Sequence, residues 1–368
     1  MAVFDTFTLE LKISDQCSMR CPYCYETFTD TYMTKETFDK SLVKVIDMME
    51  RSGTKKLNLS FFGGEPMMNW ELIEHATKVL RKLPIEVTLV VISNMTLIDE
   101  YKVKWLKENN VGVSWSFDGI SSNETRPLAT QFINPKADGT SYKSTLDLYK
   151  DKMDLILSLT NGCKVMIWPG NSKQMTENLE FFVDNGIVAP DFSLIRDDVW
   201  SKEDIINFRD DIRRLGDRYI KYIKDGMYVN VGFFTLCILD NIFGLTFQKR
   251  SFGCFAGTTG AVMTTDGKFY PCARFSDKKV MEITPEYSFT YWQEKFKPEN
   301  FDKCQSCDLY DVCNAGCTYS QIRNDNKPLD SICELYHIIQ EETQRVVHEL
   351  KDEPTFHQVI NSAFRNIG

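Results

Sequence analysis

Short apolar alternations along the chain repeatedly give way to apolar positions at helical spacing. Phe7, Leu9, Leu11 and Ile13 alternate with polar neighbours, which predicts a strand with one buried face. Leu42, Val45, Ile46 and Met49 follow at the spacing of a helix, completing one β-then-α unit. Further strands are expected at Leu57–Phe62, Val87–Ile92, Val111–Phe117, Lys164–Trp168 and Phe192–Ile195. Each precedes a helical stretch, clearest at Glu71–Lys82, Glu100–Asn109 and Gln174–Asn185. Six strands alternating with helices predict an α/β fold with a parallel sheet, wound open or curled into a partial barrel. The rhythm stops where the helix Ile205–Lys224 ends near Gly226, and cysteines become dense beyond it, so a domain boundary is expected at 226–250. Glu334–Leu350 reads as a single late helix.

Composition narrows the class. Of 368 residues, 43% are hydrophobic and 26% charged, a globular mixture that excludes disorder and low complexity. Lys and Arg total 43 against 52 Asp and Glu, a net charge of −9 that argues against a long nucleic acid or an anionic membrane as partner. The start, Met1 to Asp5, lacks the basic and apolar regions of a signal peptide, and no apolar run reaches the ~18 residues of a membrane span. A cytoplasmic protein is expected, and in that reducing compartment twelve cysteines point to metal ligands rather than disulfides.

Three of them, Cys17, Cys21 and Cys24, stand directly after the first strand, at the end where barrel active sites lie. Three thiolates can hold three irons of a cubane cluster and leave the fourth free for a small molecule. A zinc site would want a further thiolate or histidine, and His75, His337, His348 and His357 are all distant in sequence. This Cys-x3-Cys-x2-Cys loop, with Tyr23 before its last cysteine, resembles the signature of the radical S-adenosylmethionine (SAM) enzymes. Gly63-Gly64-Glu65-Pro66 closes the second strand and is similar to the family's GGEP motif, which implies contact with the amino group of SAM. Ser93-Asn94 after the third strand and Ser116-Phe117-Asp118-Gly119 after the fourth resemble segments that touch its ribose and methionine. The resemblance further implies Arg126 as partner of the SAM carboxylate and Leu194 as a surface for the adenine, although Arg126 falls two residues short of the usual spacing and Leu194 also fits a plain core position.

The second constellation runs Cys254, Gly267, Cys272, Cys304, Cys307, Cys313, Cys317 and Cys333. It resembles the SPASM extension, a C-terminal module of radical SAM enzymes that binds two auxiliary four-iron clusters. The resemblance implies Cys304, Cys307, Cys313 and Cys333 as ligands of one cluster and Cys254, Cys272 and Cys317 as ligands of another. The latter then lacks a fourth ligand, supplied either from outside or by Cys237. Seven thiols without a histidine suit a pair of zinc ribbons poorly. Cys163 and Cys237, in apolar segments, read as core thiols.

The implied architecture is a partial (β/α)6 TIM-like barrel at 1–235, a small irregular α+β module at 236–340, and a C-terminal helix and tail at 341–368. The implied cofactors are SAM and three [4Fe-4S] clusters. The implied activity is reductive cleavage of SAM to a 5′-deoxyadenosyl radical that abstracts hydrogen from a substrate. Most relatives bearing this module act on ribosomal peptides or proteins, with flavodoxin or ferredoxin as the kind of reductant required. A non-peptide substrate, such as an amino-acid- or nucleoside-linked group, is the alternative, and a non-catalytic iron–sulfur carrier a third reading. Sulfatase maturation is disfavoured by Ala273, where that branch carries an aspartate beside the matching cysteine. Arg196, Asp197, Asp198 and Arg274 are candidate substrate contacts, each equally explicable as a surface charge.

Overall fold

Phe7, Leu9, Leu11 and Ile13 are wholly buried, and they lie on one strand, β1 (Thr6–Ser14), as their alternation requires. In the computed structural model, described for residues 5–129, 141–196, 199–243, 256–257, 259–276, 281–284, 295, 298–310, 312–313 and 316–365, this strand lies inside a six-stranded sheet. The described residues divide into two compact units. One is drawn from Met1–Ser116, Arg126–Thr160 and Phe255–Glu294, the other from Phe117–Thr125, Asn161–Cys254 and Lys295–Gly368.

In the first unit β1 pairs in parallel with β2 (Lys56–Gly63), which pairs with β3 (Glu86–Ser93), which pairs with β4 (Gly112–Trp115). Between them run α1 (Lys35–Ser52), α2 (Trp70–Leu80) and α3 (Glu100–Glu108), all within two residues of the expected spans where such spans were set. Their starts follow local chemistry: Thr34 accepts from the Thr37 amide and Asp99 from the Lys102 amide, each satisfying an N–H that the first helical turn leaves open. α4 (Ser122–Thr125) is a single turn assigned to the second unit, and α5 (Thr145–Leu157) returns to the first, where Tyr149 packs edge-on to Trp115.

Two strands were not anticipated. β7 (Gly260–Met263) pairs in parallel with the free edge of β1, and β8 (Phe269–Tyr270) pairs antiparallel with β7. All four residues of β7 are buried, so it carries no alternation to read.

The second unit holds β5 (Gly162–Ile167) and β6 (Ala189–Leu194), paired in parallel, with α6 (Met175–Asp184), α7 (Lys202–Lys224) and α8 (Gly232–Phe243). A run of aromatic contacts, Phe117 to Phe182 to Phe192 to Phe233 to Phe208, forms its core. The long helix Asp330–Leu350 packs on α7, where buried Glu342 accepts from Arg345 and Arg213. A further helix, Pro354–Arg365, follows. Among the described residues no helix is long and apolar enough to cross a membrane.

Candidate iron–sulfur and SAM sites

The Cys17–Cys21–Cys24 loop leaves β1 at its C-terminal end and is tied to the turn that ends β2. The Gly64 amide donates to the Ser14 carbonyl at 2.8 Å and the Glu65 amide to the Gln16 carbonyl at 2.7 Å. Glycine is required for this approach: Gly63 has φ +134°, and a Cβ on Gly64 would stand 2.2 Å from the Gln16 oxygen and 3.1 Å from Cys17 Cβ. The Gly-Gly-Glu-Pro segment therefore fixes the position of Cys17 directly.

Glu65 is fully buried. Its carboxylate accepts from the Met67 amide (2.9 Å), the Asn94 amide (2.9 Å) and Ser93 Oγ (2.8 Å), fastening the ends of β2 and β3 together. Burial pushes its pKa up to about 7 against the pull of those donors. A carboxylate offers about four acceptor positions, so one remains for a ligand donor. Asn94 is similarly occupied: its Nδ2 donates to Ser18 Oγ at 3.1 Å and points to Cys17 Sγ at 3.7 Å, while its Oδ1 accepts from the Thr96 amide and hydroxyl. Ser116 continues the layer, its amide donating to the Ser93 carbonyl.

Arg126 is buried beside the same loop, with its guanidinium 5.6 Å from the Tyr23 ring centre. Its carbonyl accepts from Thr145 Oγ1, and Tyr149 donates to the Asn94 carbonyl at 2.6 Å. Tyr149 escaped the sequence reading because, on an amphipathic helix, it looks like any core aromatic.

A charged group on β1 was also missed. Lys12 is sandwiched between Asp15 (2.7 Å) and Glu26 (2.6 Å), with side chains of Lys12 and Glu26 only 9% and 6% exposed. The second oxygen of Glu26 has no hydrogen-bond partner. Glu10 lies two residues back on the same strand face, and burial, followed by the charge of Glu26, raises its pKa to about 7. Arg274 stacks 4.3 Å over the ring of Tyr25 and acts electrostatically on Cys24 and Glu26. The available signal was the placing of charges at mid-strand, on the face opposite Leu9 and Leu11.

The three thiols suit a cluster better than a single ion. A tetrahedral Zn–S site brings its sulfurs to about 3.8 Å of one another. Among the described residues only Cys307, Asp308 and His337 place three such ligand atoms within 4.8 Å of one another. Burial, and then the charge of Glu65, push the Cys17 thiol up, so its thiolate needs a bound cation to be stable there.

In the second unit one cavity is lined by Cys304, Cys307, Cys313 and Cys333 together, the four thiols expected to share a cluster. Cys304 is raised to about 11 by burial and then by the other three. Beside them stands His337, with Nε2 3.7 Å from Cys307 Sγ. The expectation of a histidine-free environment is thereby corrected. Cys333 and His337 are four residues apart on one helix and so share a face, a relation the sequence contained.

Other predicted residues have humbler places. Asp118 accepts from the Met166 amide at 2.9 Å and so holds the start of the second unit to β5. Leu194 is buried and lines an apolar cavity with Phe192, Phe233, Cys237 and Cys313. Arg196 lines the same cavity, its carbonyl accepting from Ser320 and its guanidinium 5.7 Å from the Tyr336 ring centre. Cys163 is a buried core thiol as expected, whereas Cys237 is half-buried and donates to Gln340 at 2.7 Å. α8 turns Cys237 toward the cavity instead of the core, correcting that expectation. Cys272 belongs to the first unit and Cys317 to the second; Cys254, Asp197 and Asp198 lie outside the described residues.

Residues 11–180 match the family model of the radical SAM superfamily. The chain's relatives include the cysteine-type anaerobic sulfatase-maturating enzyme of Clostridium novyi (strain NT), 23% identical over 83% of this chain and 85% of that protein. The radical SAM cyclopropyl synthase TigE of Paramaledivibacter caminithermalis is 29% identical over 30% of this chain, which spans only 26% of TigE. Among solved structures, a tagged form of anSMEcpe with bound AdoMet is similar at TM-score 0.72 and 20% identity, over 96% of this chain and 98% of that one. Streptococcus suis SuiB bound to its precursor peptide SuiA is similar at TM-score 0.57 and 17% identity, over 89% and 76%. The shared fold is mixed α/β with a TIM-like core, one of the two forms the strand pattern allowed and the one the resemblance implied.

Proposed function

We propose that this protein is a radical SAM enzyme and that it modifies a side chain of a ribosomal peptide or protein. The observation that carries the chemistry is the clamping of the Cys17–Cys21–Cys24 loop onto Gly63–Glu65 and the end of β3. Cys17, Cys21 and Cys24 would hold an iron–sulfur cluster there, and that cluster would supply the electron for reductive cleavage of SAM. The protein's own part is positional. Glu65, Ser93 and Asn94 set the floor beside the loop, and Glu65 keeps one acceptor position for the amino group of SAM. Arg126, next to Tyr23, is suited to the carboxylate. The shared cavity of Cys304, Cys307, Cys313 and Cys333 supports a second cluster, and the spacing of Cys254, Cys272 and Cys317 a third. A peptide substrate is supported by the peptide-bound state of two similar structures, SuiB with SuiA and anSMEcpe with a Cp18Cys peptide. Flavodoxin or ferredoxin in the cytoplasm is the fitting reductant.

Sulfatase maturation is the second reading, favoured by the near full-length similarity to the Clostridium novyi enzyme. Ala273 opposes it, since a methyl group cannot take up a proton. Anaerobic reconstitution followed by SAM and dithionite tests the chemistry: 5′-deoxyadenosine and methionine should form, and their absence from iron-replete protein would refute the assignment. Adding a cysteine-containing sulfatase peptide separates the two readings, because formylglycine in the product would establish the second.

A further inference from the structure

Beside its four thiols, the cavity is lined by one lysine and one histidine that the ligand set does not use. His337 places Nε2 3.7 Å from Cys307 Sγ, and its Nδ1 stands 3.4 Å from Asp308. Lys303, whose ammonium holds Asp330, lines the cavity together with Cys333. Both line the cavity with the thiols themselves. They come from separate elements, Lys303 from the short helix Asp302–Gln305 and His337 from Asp330–Leu350.

Once Cys307 is a metal-bound thiolate it can only accept, so His337 meets it with the N–H of Nε2. An N–H donated to a ligand sulfur interacts more strongly with the reduced cluster, which carries one more negative charge, than with the oxidised one.

We propose that His337 is a hydrogen-bond donor to the cluster held by Cys304, Cys307, Cys313 and Cys333, that Lys303 is a cation lining the same cavity, and that the two hold its reduction potential above that of a cluster without them. They are positioning residues: neither touches substrate, His337 acts through the sulfur of Cys307, and Lys303 acts through its charge. The electron taken up comes from an external donor or from the substrate reaction, and no bond to either residue forms or breaks. The consequence is a division of labour, with this cluster easier to reduce than the one at Cys17, Cys21 and Cys24. The inference rests on the four-thiol cluster, so that assignment needs its own control.

Potentiometric titration of the anaerobically reconstituted full chain, followed by electron paramagnetic resonance, tests it. His337→Leu should leave iron and sulfide unchanged and lower one midpoint by about tenfold in the reduction equilibrium, 59 mV for a one-electron couple, with the other clusters unmoved. His337→Gln, which keeps an N–H at similar reach, should recover most of the shift. Lys303→Met, on a partly exposed side chain, should lower the same midpoint and gives an independent reading if His337→Leu folds poorly. Unchanged midpoints in both variants would overturn the proposal, as would a loss of about four irons in His337→Leu, which would make the histidine a ligand. Stoichiometric zinc in the wild-type protein would overturn it too, by assigning Cys307, Asp308 and His337 to a separate ion. Cys304→Ala is the control: retention of all iron would refute the cluster assignment itself, and leave SAM cleavage as a separate question.

Discussion

Glu10 occupies a polar position of β1, yet burial and the neighbouring Glu26 lift its pKa from 4.5 to about 7. Between those values the unfolded chain has released the proton and the folded chain still holds it, so the folded state binds more protons and loses stability as pH rises through that window. Below 4.5 the contribution is fully present, and above 7 the carboxylate is a net cost. Glu10→Gln should therefore raise stability at pH 8 by about 2 kcal/mol and change it little at pH 4, which chemical denaturation at the two pH values measures. Equal effects at both would show that the carboxyl is solvated. Gly64 is the opposite kind of residue, valued for what it lacks. Gly64→Ala puts a methyl against the Gln16 carbonyl and Cys17, so the loop must shift. The expected result is loss of about four irons with SAM cleavage, while the remaining iron stays. Full iron and activity in that variant would mean that the loop tolerates displacement.

At the level of elements, period-two and helical patterns located β1 to β6 and their helices because β1, β2, β3, β5 and β6 alternate buried with less buried positions. The same logic explains the failures. β7 is buried on both faces and β8 is two residues long, so neither has a period. α8 is apolar nearly all round and reads as a run, not a stripe. Of the sites, the cysteine spacing and the Gly-Gly-Glu-Pro turn were legible because they are local in sequence. The Lys12–Glu26 pair, the Tyr149 contact with Asn94 and the approach of His337 to Cys307 were not, since each joins segments that only folding brings together. Locality also predicts independence. Replacing Cys17, Cys21 and Cys24 together by Ala removes ligands from one loop of the first unit and none from the second unit. About two-thirds of the iron should remain and 5′-deoxyadenosine should not form, checked by iron analysis and chromatography. Retained SAM cleavage would dismiss this loop as the site.

For the whole chain, the decisive quantity is metal stoichiometry, because iron–sulfur and zinc readings of the same cysteines differ in it most. Twelve cysteines are present, and Cys163 is a core thiol while Cys237 is engaged with Gln340. The other ten suffice for one cluster with three thiolates, one with four and one with three. Anaerobically reconstituted protein should then carry about twelve irons and about twelve sulfides per chain. A zinc protein using the same thiols would hold two or three ions and no sulfide. For the cluster proposed from the spacing of Cys254, Cys272 and Cys317, which would be one ligand short, Cys237→Ala is a direct check. Its thiol donates to a glutamine in the apolar cavity, so the variant should lose that hydrogen bond and keep its iron and cluster spectra. Loss of about four irons instead would show that Cys237 closes the cluster and that no iron there is open to a substrate group.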